Sequence, residues 1–120
     1  RDWLPAEVAS NIPDSTCAIF KMDAYRDLPA ADGSFPVVLF SHGVAGYRMQ
    51  STFLMSHLAT WGFVVASAEH PERGLQTVLE TGSIEGDDAP EAMRAAWAWL
   101  AQENSGNGRF AGRIDLTKVA

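Results

Sequence analysis

Cysteine is almost absent from this chain of 120 residues, in which Cys17 is the single thiol. One cysteine excludes an internal disulfide. Neither a CxxC pair nor an HExxH motif occurs, and His42, His57 and His70 are not spaced as a set of metal ligands. The sequence therefore predicts no metal site and no cofactor.

Clusters of basic residues and long apolar runs are missing as well. The chain has 9 Lys and Arg against 15 Asp and Glu, with a net charge of -6. Because phosphate backbones are bound by clustered Lys and Arg, this balance disfavours nucleic acid as a partner. No apolar run approaches the ~18 residues of a transmembrane helix, and no signal peptide is visible. The compartment stays open, with a secreted or periplasmic location among the alternatives.

The overall composition, with 47% hydrophobic and 20% charged residues, is that of a globular domain. At this length the chain forms one domain at most. Prolines, Asp and Asn interrupt residues 1–34, so we expect an irregular segment there, with room for a short helix at Ala6–Ser10. Residues 35–120 are expected to form the structured α/β portion.

A strand, a helix and a second strand are predicted next. Pro36–Phe40 and Phe63–Ala68 are apolar runs without alternation, which is typical of strands buried on both faces of a parallel sheet. The helix between them begins near Ser51, as a cap, and ends at Gly62 in the left-handed conformation. Its apolar stripe consists of Leu54, Leu58 and Trp61. Such a crossover is right-handed, so the two strands lie parallel in one sheet.

Parallel strands bring the loops Ser41–Gly46 and Glu69–Gly74 to the same edge of the sheet, where open α/β sheets bind ligands. Residues 76–88 are predicted to be a long loop. A helix is predicted over residues 89–104, with Trp97 and Trp99 as core residues. Residues 114–120 are expected to open a third strand, which completes a prediction of the α/β class.

Ser41 next to His42 invites a reading as a nucleophile beside its base, but the pattern opposes it. A nucleophile elbow is G-x-S-x-G, and here Leu39 stands where the first glycine belongs. Members of a catalytic triad also come from separate loops. An oxyanion hole fits better, because small residues after a buried strand present backbone N–H groups to a carbonyl oxygen. We expect the side chains of Ser41 and His42 to be structural.

Several segments carry a resemblance to a known family: PVVLFSHG, LATWGFVV, EHPERG and RIDLTKVA. Residues 35–120 resemble α/β-hydrolase esterases, namely bacterial polyesterase-lipase-cutinase enzymes and platelet-activating factor acetylhydrolase-like lipases, with dienelactone hydrolase more distant. The resemblance implies part of an α/β-hydrolase fold, with a parallel sheet and flanking helices that are incomplete in this chain. It also implies the hydrolysis of carboxylic esters by a serine enzyme.

The same resemblance assigns roles to the loop after the first strand. The backbone N–H of Val44 is the implied oxyanion donor, Gly43 leaves room for the carbonyl, and Ala45 and Tyr47 are the implied substrate contacts. Cutinase-like members carry an aromatic residue at the position of Val44, so valine disfavours polyesters and leaves small or lipid esters open. A structural network of ion pairs and hydrogen bonds is expected at the rim, from Arg48, Glu69, His70 and Arg73.

No G-x-S-x-G occurs anywhere in the chain. By resemblance, the nucleophile elbow lies a few residues beyond Ala120, with the acid and the base histidine farther on. The chain begins at Arg1 rather than Met. We therefore expect it to be an internal or N-terminal fragment of a hydrolase. Such a fragment contains no nucleophile, is inactive alone and has the C-terminal part of the same hydrolase as its partner.

Two other classes of protein remain as alternatives. In the first alternative the chain is a non-catalytic α/β binding module that kept a hydrolase scaffold. In the second it is half of a two-chain assembly. A Rossmann-type nucleotide binder also uses a glycine loop in a strand–helix–strand unit, but the spacing of Gly43 and Gly46 does not satisfy G-x-G-x-x-G.

Overall fold

The computed structural model describes residues 4–19, 22 and 24–120, and these form five α-helices, one 3₁₀ turn and three β-strands. The helices are α1 (Ala6–Ser10), α2 (Asp14–Ile19), α3 (Thr52–Thr60), α4 (Leu75–Thr81) and α5 (Ala89–Glu103). The strands are β1 (Phe35–Ser41), β2 (Val64–Ala68) and β3 (Ile114–Val119), and the 3₁₀ turn is Pro71–Arg73. The short helix predicted at Ala6–Ser10 is α1, and α2 follows it in the same N-terminal segment.

The three strands form one parallel sheet in the order β2-β1-β3. In the β1–β2 pair, Val37 lies opposite Val64 and Ser41 lies opposite Ala68. The β1–β3 pair shifts register between Pro36 and Val37, where the proline has no N–H to donate to a ladder. The predicted α/β class with parallel strands and flanking helices is confirmed, and β1, the central strand, ends at the loop of interest.

The core lies between the sheet and α5. Val37, Leu100 and Ile114 are its fully buried centre, with 1%, 1% and 3% of their surfaces exposed. Partly buried apolar side chains surround them, namely Leu39, Val64, Ala66, Trp97, Phe110 and Leu116. The burial predicted for both strands is only partial: Val37 alone is fully buried in β1, and each residue of β2 is half-buried.

Residues 76–88 are not a continuous loop, because α4 spans Leu75–Thr81. The apolar side chains Leu75, Val78 and Leu79 repeat at helical spacing. Gly82 ends the helix with a φ of 76°, in the left-handed conformation that favours glycine. Gly62 has a φ of 84° after α3, as predicted.

Two predictions of tryptophan burial need correction. Trp97 packs against the core, but Trp99 is 50% exposed. Residues two apart on a helix are about 200° apart around its axis, so both rings cannot face one sheet. Trp61 is 72% exposed because it lies just after the end of α3, where the helical periodicity has stopped. Ser51 does precede α3, but its side chain makes no capping hydrogen bond.

Candidate active site

The loops that follow β1 and β2 meet at the carboxyl edge of the sheet, as predicted. Ala45 N–H donates to the Arg73 carbonyl at 2.9 Å, and Leu75 N–H donates to the Gly46 carbonyl at 2.7 Å. These two backbone hydrogen bonds join the loop after β1 to the 3₁₀ turn and the start of α4. The loop is therefore held from outside as well as by its own turn.

The loop after β1 is a tight turn with little freedom. Gly46 N–H donates to the Gly43 carbonyl at 3.0 Å, which closes the turn. Ala45 has a φ of 55°, a left-handed conformation that costs a residue with a Cβ about 1–2 kcal/mol. Gly46 is buried, and a Cβ there would lie 2.9 Å from the Gly43 oxygen. Strain and close packing of this kind are concentrated at functional sites.

The N–H group of Val44 is available to a ligand. Val44 is 59% exposed, and no acceptor among the described residues pairs with its backbone N–H. A Cβ added at Gly43 would meet no atom within 4 Å, so open space lies beside the loop at that position. An unpaired backbone donor on an exposed residue, with open space beside the loop, fits what an oxyanion hole requires.

His42, which was predicted to be structural, is 1% exposed and lies beneath the loop. Its Nδ1 is 2.9 Å from the Gly43 carbonyl oxygen, and its Nε2 is 2.8 Å from Glu69 Oε1. The ring also packs against His70, with the two ring centres 4.4 Å apart. His42 is therefore surrounded by partners and has no free nitrogen to offer to a substrate.

Ser41 pairs with His70 from the loop after β2. Ser41 Oγ lies 2.8 Å from His70 Nε2, and Arg73 Nη2 donates to Ser41 Oγ at 3.2 Å and to the His42 carbonyl at 2.9 Å. Burial lowers the pKa of His70, and the neighbouring His42 and Arg73 charges act in the same direction. The neutral ring accepts the hydroxyl hydrogen of Ser41, because a guanidinium can only donate.

A serine bonded to a histidine is half of a nucleophile-and-base arrangement, but the rest of that arrangement is missing. A catalytic histidine is held by a carboxylate at its second nitrogen. His70 Nδ1 is buried, and in the described part of the chain it has no hydrogen-bond partner. The lowered pKa also makes His70 a weak base. The geometry favours a structural role for the Ser41–His70 pair.

The remaining candidate residues lie close by. Tyr47 and Glu69 line a cavity of about 240 Å³ together with Leu75 and other residues of α4. The rim network expected from the sequence is present, since Glu69 Oε2 accepts the backbone N–H of Arg48 at 3.1 Å. Sequence reasoning missed that Glu69 pairs with His42. A signal for this contact was present in the sequence: His42 and Glu69 directly follow β1 and β2, and neighbouring parallel strands end side by side.

Other kinds of site find no support in the described residues. In residues 4–19, 22 and 24–120, no group of three His, Cys, Asp or Glu side chains is placed to hold a metal ion. Among the helices described, none has the length and apolar character needed to cross a membrane. Cys17 lies in α2, away in sequence from both loops.

A parallel sheet in the order β2-β1-β3 with flanking helices is part of an α/β fold. The family model of platelet-activating factor acetylhydrolase, isoform II, matches residues 8–108, and the chain belongs to this family. The predicted resemblance to α/β-hydrolase esterases and lipases is therefore confirmed at the level of the family.

A search of curated proteins gives a relative in Schizosaccharomyces pombe, named "Putative phospholipase A2". It is 33% identical to the chain over 70 residues, which are 58% of this chain and 16% of that protein. The chain thus matches about a sixth of the length of this relative. No solved structure matches the chain.

Proposed function

We propose that this chain supplies one oxyanion donor, the backbone N–H of Val44, to a serine hydrolase that cleaves acyl esters of lipids. The observation that carries the proposal is the unpaired backbone N–H of an exposed residue, Val44, on a tight loop after the central strand. The family and the fungal relative support the class of reaction, since both names denote hydrolysis of a lipid acyl ester. Ester hydrolysis by a serine nucleophile requires no cofactor.

The chemistry uses the loop at one stage. A serine oxygen attacks the ester carbonyl carbon, the serine proton passes to the base, and the electron pair of the C=O bond moves onto the carbonyl oxygen. The N–H of Val44 donates to that oxyanion. The C–O ester bond then breaks, the alcohol leaves with a proton from the base, and water releases the acid from the acyl-enzyme. Gly43 leaves room for the carbonyl in this scheme.

Two further residues contact the substrate in this proposal. Ala45 is exposed beside Val44, and Tyr47 lines the cavity shared with α4. In this proposal Tyr47 lies on the acyl or leaving-group side of the loop. Valine at position 44 is small enough to admit a lipid ester but offers no aromatic surface for an aromatic polyester.

The attacking serine is proposed to lie outside these 120 residues, in the rest of the same hydrolase, together with its acid and base. The sequence has no G-x-S-x-G motif. The best placed hydroxyl, that of Ser41, is occupied by His70 and Arg73. The chain alone is then inactive and depends on that remaining part as its partner.

The test is to label the intact protein with a fluorophosphonate and to map the modified residue by mass spectrometry. We expect one labelled serine in a G-x-S-x-G sequence, and hydrolysis of short-chain phospholipid esters. Ser41→Ala serves as the control and is expected to keep the labelling. Hydrolysis of aromatic polyesters is expected to be much slower than that of lipid esters.

Three other outcomes each select another interpretation. Labelling at Ser41 would make the Ser41–His70 pair the catalytic one, a candidate favoured by its 2.8 Å contact. Absence of both labelling and hydrolysis in the folded protein would instead indicate a non-catalytic α/β binding module. Activity that appears only after mixing with a separate chain would indicate half of a two-chain assembly.

A further inference from the structure

The carbonyl of Gly43 is held by two donors. It accepts a hydrogen bond from Gly46 N–H at 3.0 Å and lies 2.9 Å from His42 Nδ1. Because a carbonyl oxygen has no hydrogen to give, Nδ1 of His42 must carry the hydrogen in this contact. The direction of this carbonyl is therefore set by one backbone group and by one buried side chain.

The same peptide group contains the proposed oxyanion donor. The C=O of Gly43 and the N–H of Val44 belong to one planar trans unit, in which they point in opposite directions. A group that fixes the carbonyl therefore also aims the N–H. Rotation of this peptide by a few tens of degrees would weaken a hydrogen bond to an oxyanion, since such bonds prefer angles above about 150°.

His42 is in turn held by a carboxylate. Glu69 Oε1 is 2.8 Å from His42 Nε2, and the other oxygen, Oε2, accepts Arg48 N–H at 3.1 Å. Glu69 thus contacts His42 near the start of the loop and Arg48 just after its end. The N–H of His70 is 3.1 Å from His42 Nε2 and 3.4 Å from Glu69 Oε1. Nε2 of His42 therefore has two partners: it accepts the His70 N–H, and it faces the Glu69 carboxylate, with which it forms an ion pair when the ring is protonated.

We infer that His42 and Glu69 are positioning residues, which orient the Gly43–Val44 peptide so that the Val44 N–H faces the oxyanion. The inference rests on the proposed function, because it concerns the same donor. His42 does not touch the substrate, because it is buried and both nitrogens of its ring have partners. Glu69 also lines the cavity beside Tyr47, and it acts on the donor through His42. The chain of contacts runs from the Glu69 carboxylate through the imidazole to the Gly43 carbonyl.

A pair of substitutions at His42 in the intact protein separates positioning from packing. In His42→Asn, the amide nitrogen takes the place of Nδ1 and can donate to the Gly43 carbonyl. His42→Leu has nearly the same volume but no donor. Loss of one oxyanion donor lowers kcat about 10²–10³-fold. We expect His42→Leu to lower kcat by about 10²-fold, and His42→Asn by roughly tenfold or less, with KM little changed in both.

A second pair tests the carboxylate and does not depend on the folding of the His42 variants. Glu69→Gln keeps two polar atoms for His42 and Arg48, whereas Glu69→Ala removes them. We expect Glu69→Ala to lower kcat at least tenfold more than Glu69→Gln, again with little change in KM. Equal losses in both pairs would show that these residues only fill space, and would overturn the inference.

A spectroscopic readout distinguishes failure of this inference from failure of the proposed function. Gly43–Val44 is the only Gly-Val pair in the 120 residues. Labelling glycine carbonyl carbons with ¹³C and valine nitrogens with ¹⁵N therefore gives one signal from this chain. We expect the Gly43 carbonyl and Val44 amide shifts to move in His42→Leu and to return toward wild type in His42→Asn.

These shifts report positioning even if the protein hydrolyses no ester. Shift changes without any hydrolysis would support the loop geometry and overturn the proposed function. Unchanged shifts in His42→Leu, in a protein that remains folded by its thermal transition, would overturn the inference and leave the proposed function in place.

Discussion

Replacing Gly46 with alanine is expected to disturb the oxyanion loop directly. A Cβ at this position would overlap Gln50 Oε1 and would lie 2.9 Å from the Gly43 oxygen and 3.0 Å from His42 Nδ1. The Gln50 side chain is exposed and can swing away at small cost. The Gly43 oxygen is backbone and is fixed by the turn, so the loop itself must move.

The size of the effect follows from these contacts. Inserting a methyl group into a closely packed site costs about 1–3 kcal/mol, which we expect as the loss in free energy of unfolding. The displaced Gly43 carbonyl carries the Val44 N–H with it. We therefore expect kcat to fall as well, up to the ~10²–10³-fold that loss of an oxyanion donor produces.

Gly43→Ala is the matched control on the same turn. Its Cβ would meet no atom within 4 Å, so the free energy of unfolding is expected to change by less than about 0.5 kcal/mol. The methyl group enters the space proposed for the ester carbonyl, so activity is expected to fall without loss of stability. Urea unfolding and hydrolysis of a short-chain ester measure both quantities. A stable, fully active Gly46→Ala protein would refute the reasoning.

Three further predictions concern stability. Burial lowers the pKa of His70, so the contribution of this side chain to the free energy of unfolding is fully present above pH ~6.5 and is lost as the pH falls from there toward the folded-state pKa. Chemical unfolding at several pH values checks this, and His70→Gln is expected to flatten the pH dependence. Leu100→Ala removes a side chain that is 1% exposed and is expected to cost about 2–5 kcal/mol, against less than 1 kcal/mol for the half-exposed Leu79→Ala. Ala45→Gly relieves a left-handed φ of 55° but frees the unfolded chain, so a net change within about 1 kcal/mol is expected by thermal unfolding.

Much of the fold could be predicted because its signals are local. The apolar runs of β1 and β2, the helix between them and Gly62 after it define one supersecondary unit in a continuous stretch of sequence. Right-handed crossover then places both loops at one edge. The helix α4 was missed because its seven residues carry only a short periodic pattern, which a glycine and acidic residues soon interrupt.

The site could be predicted only in part, because its key contacts join distant residues. The loop after β1 and its exposed N–H follow from the glycine pattern and the strand before it. The contact between His42 and Glu69 joins residues that follow two different strands, β1 and β2. Its geometry depends on side-chain rotamers. The hydrogen bond of Ser41 also joins distant residues, because its partner is His70 and not its sequence neighbour His42.

The most direct test of the central claim is to replace the Val44 N–H with an oxygen atom, which cannot donate. Replacing the Gly43–Val44 amide with an ester, by incorporating the α-hydroxy analogue of valine, deletes this donor and keeps the side chain. Val44→Ala is the control for the side chain and is expected to retain most of kcat. In the intact hydrolase, we predict that the ester variant loses about 10²–10³-fold in kcat with little change in KM. An ester variant with the kcat of the unmodified protein would contradict the account.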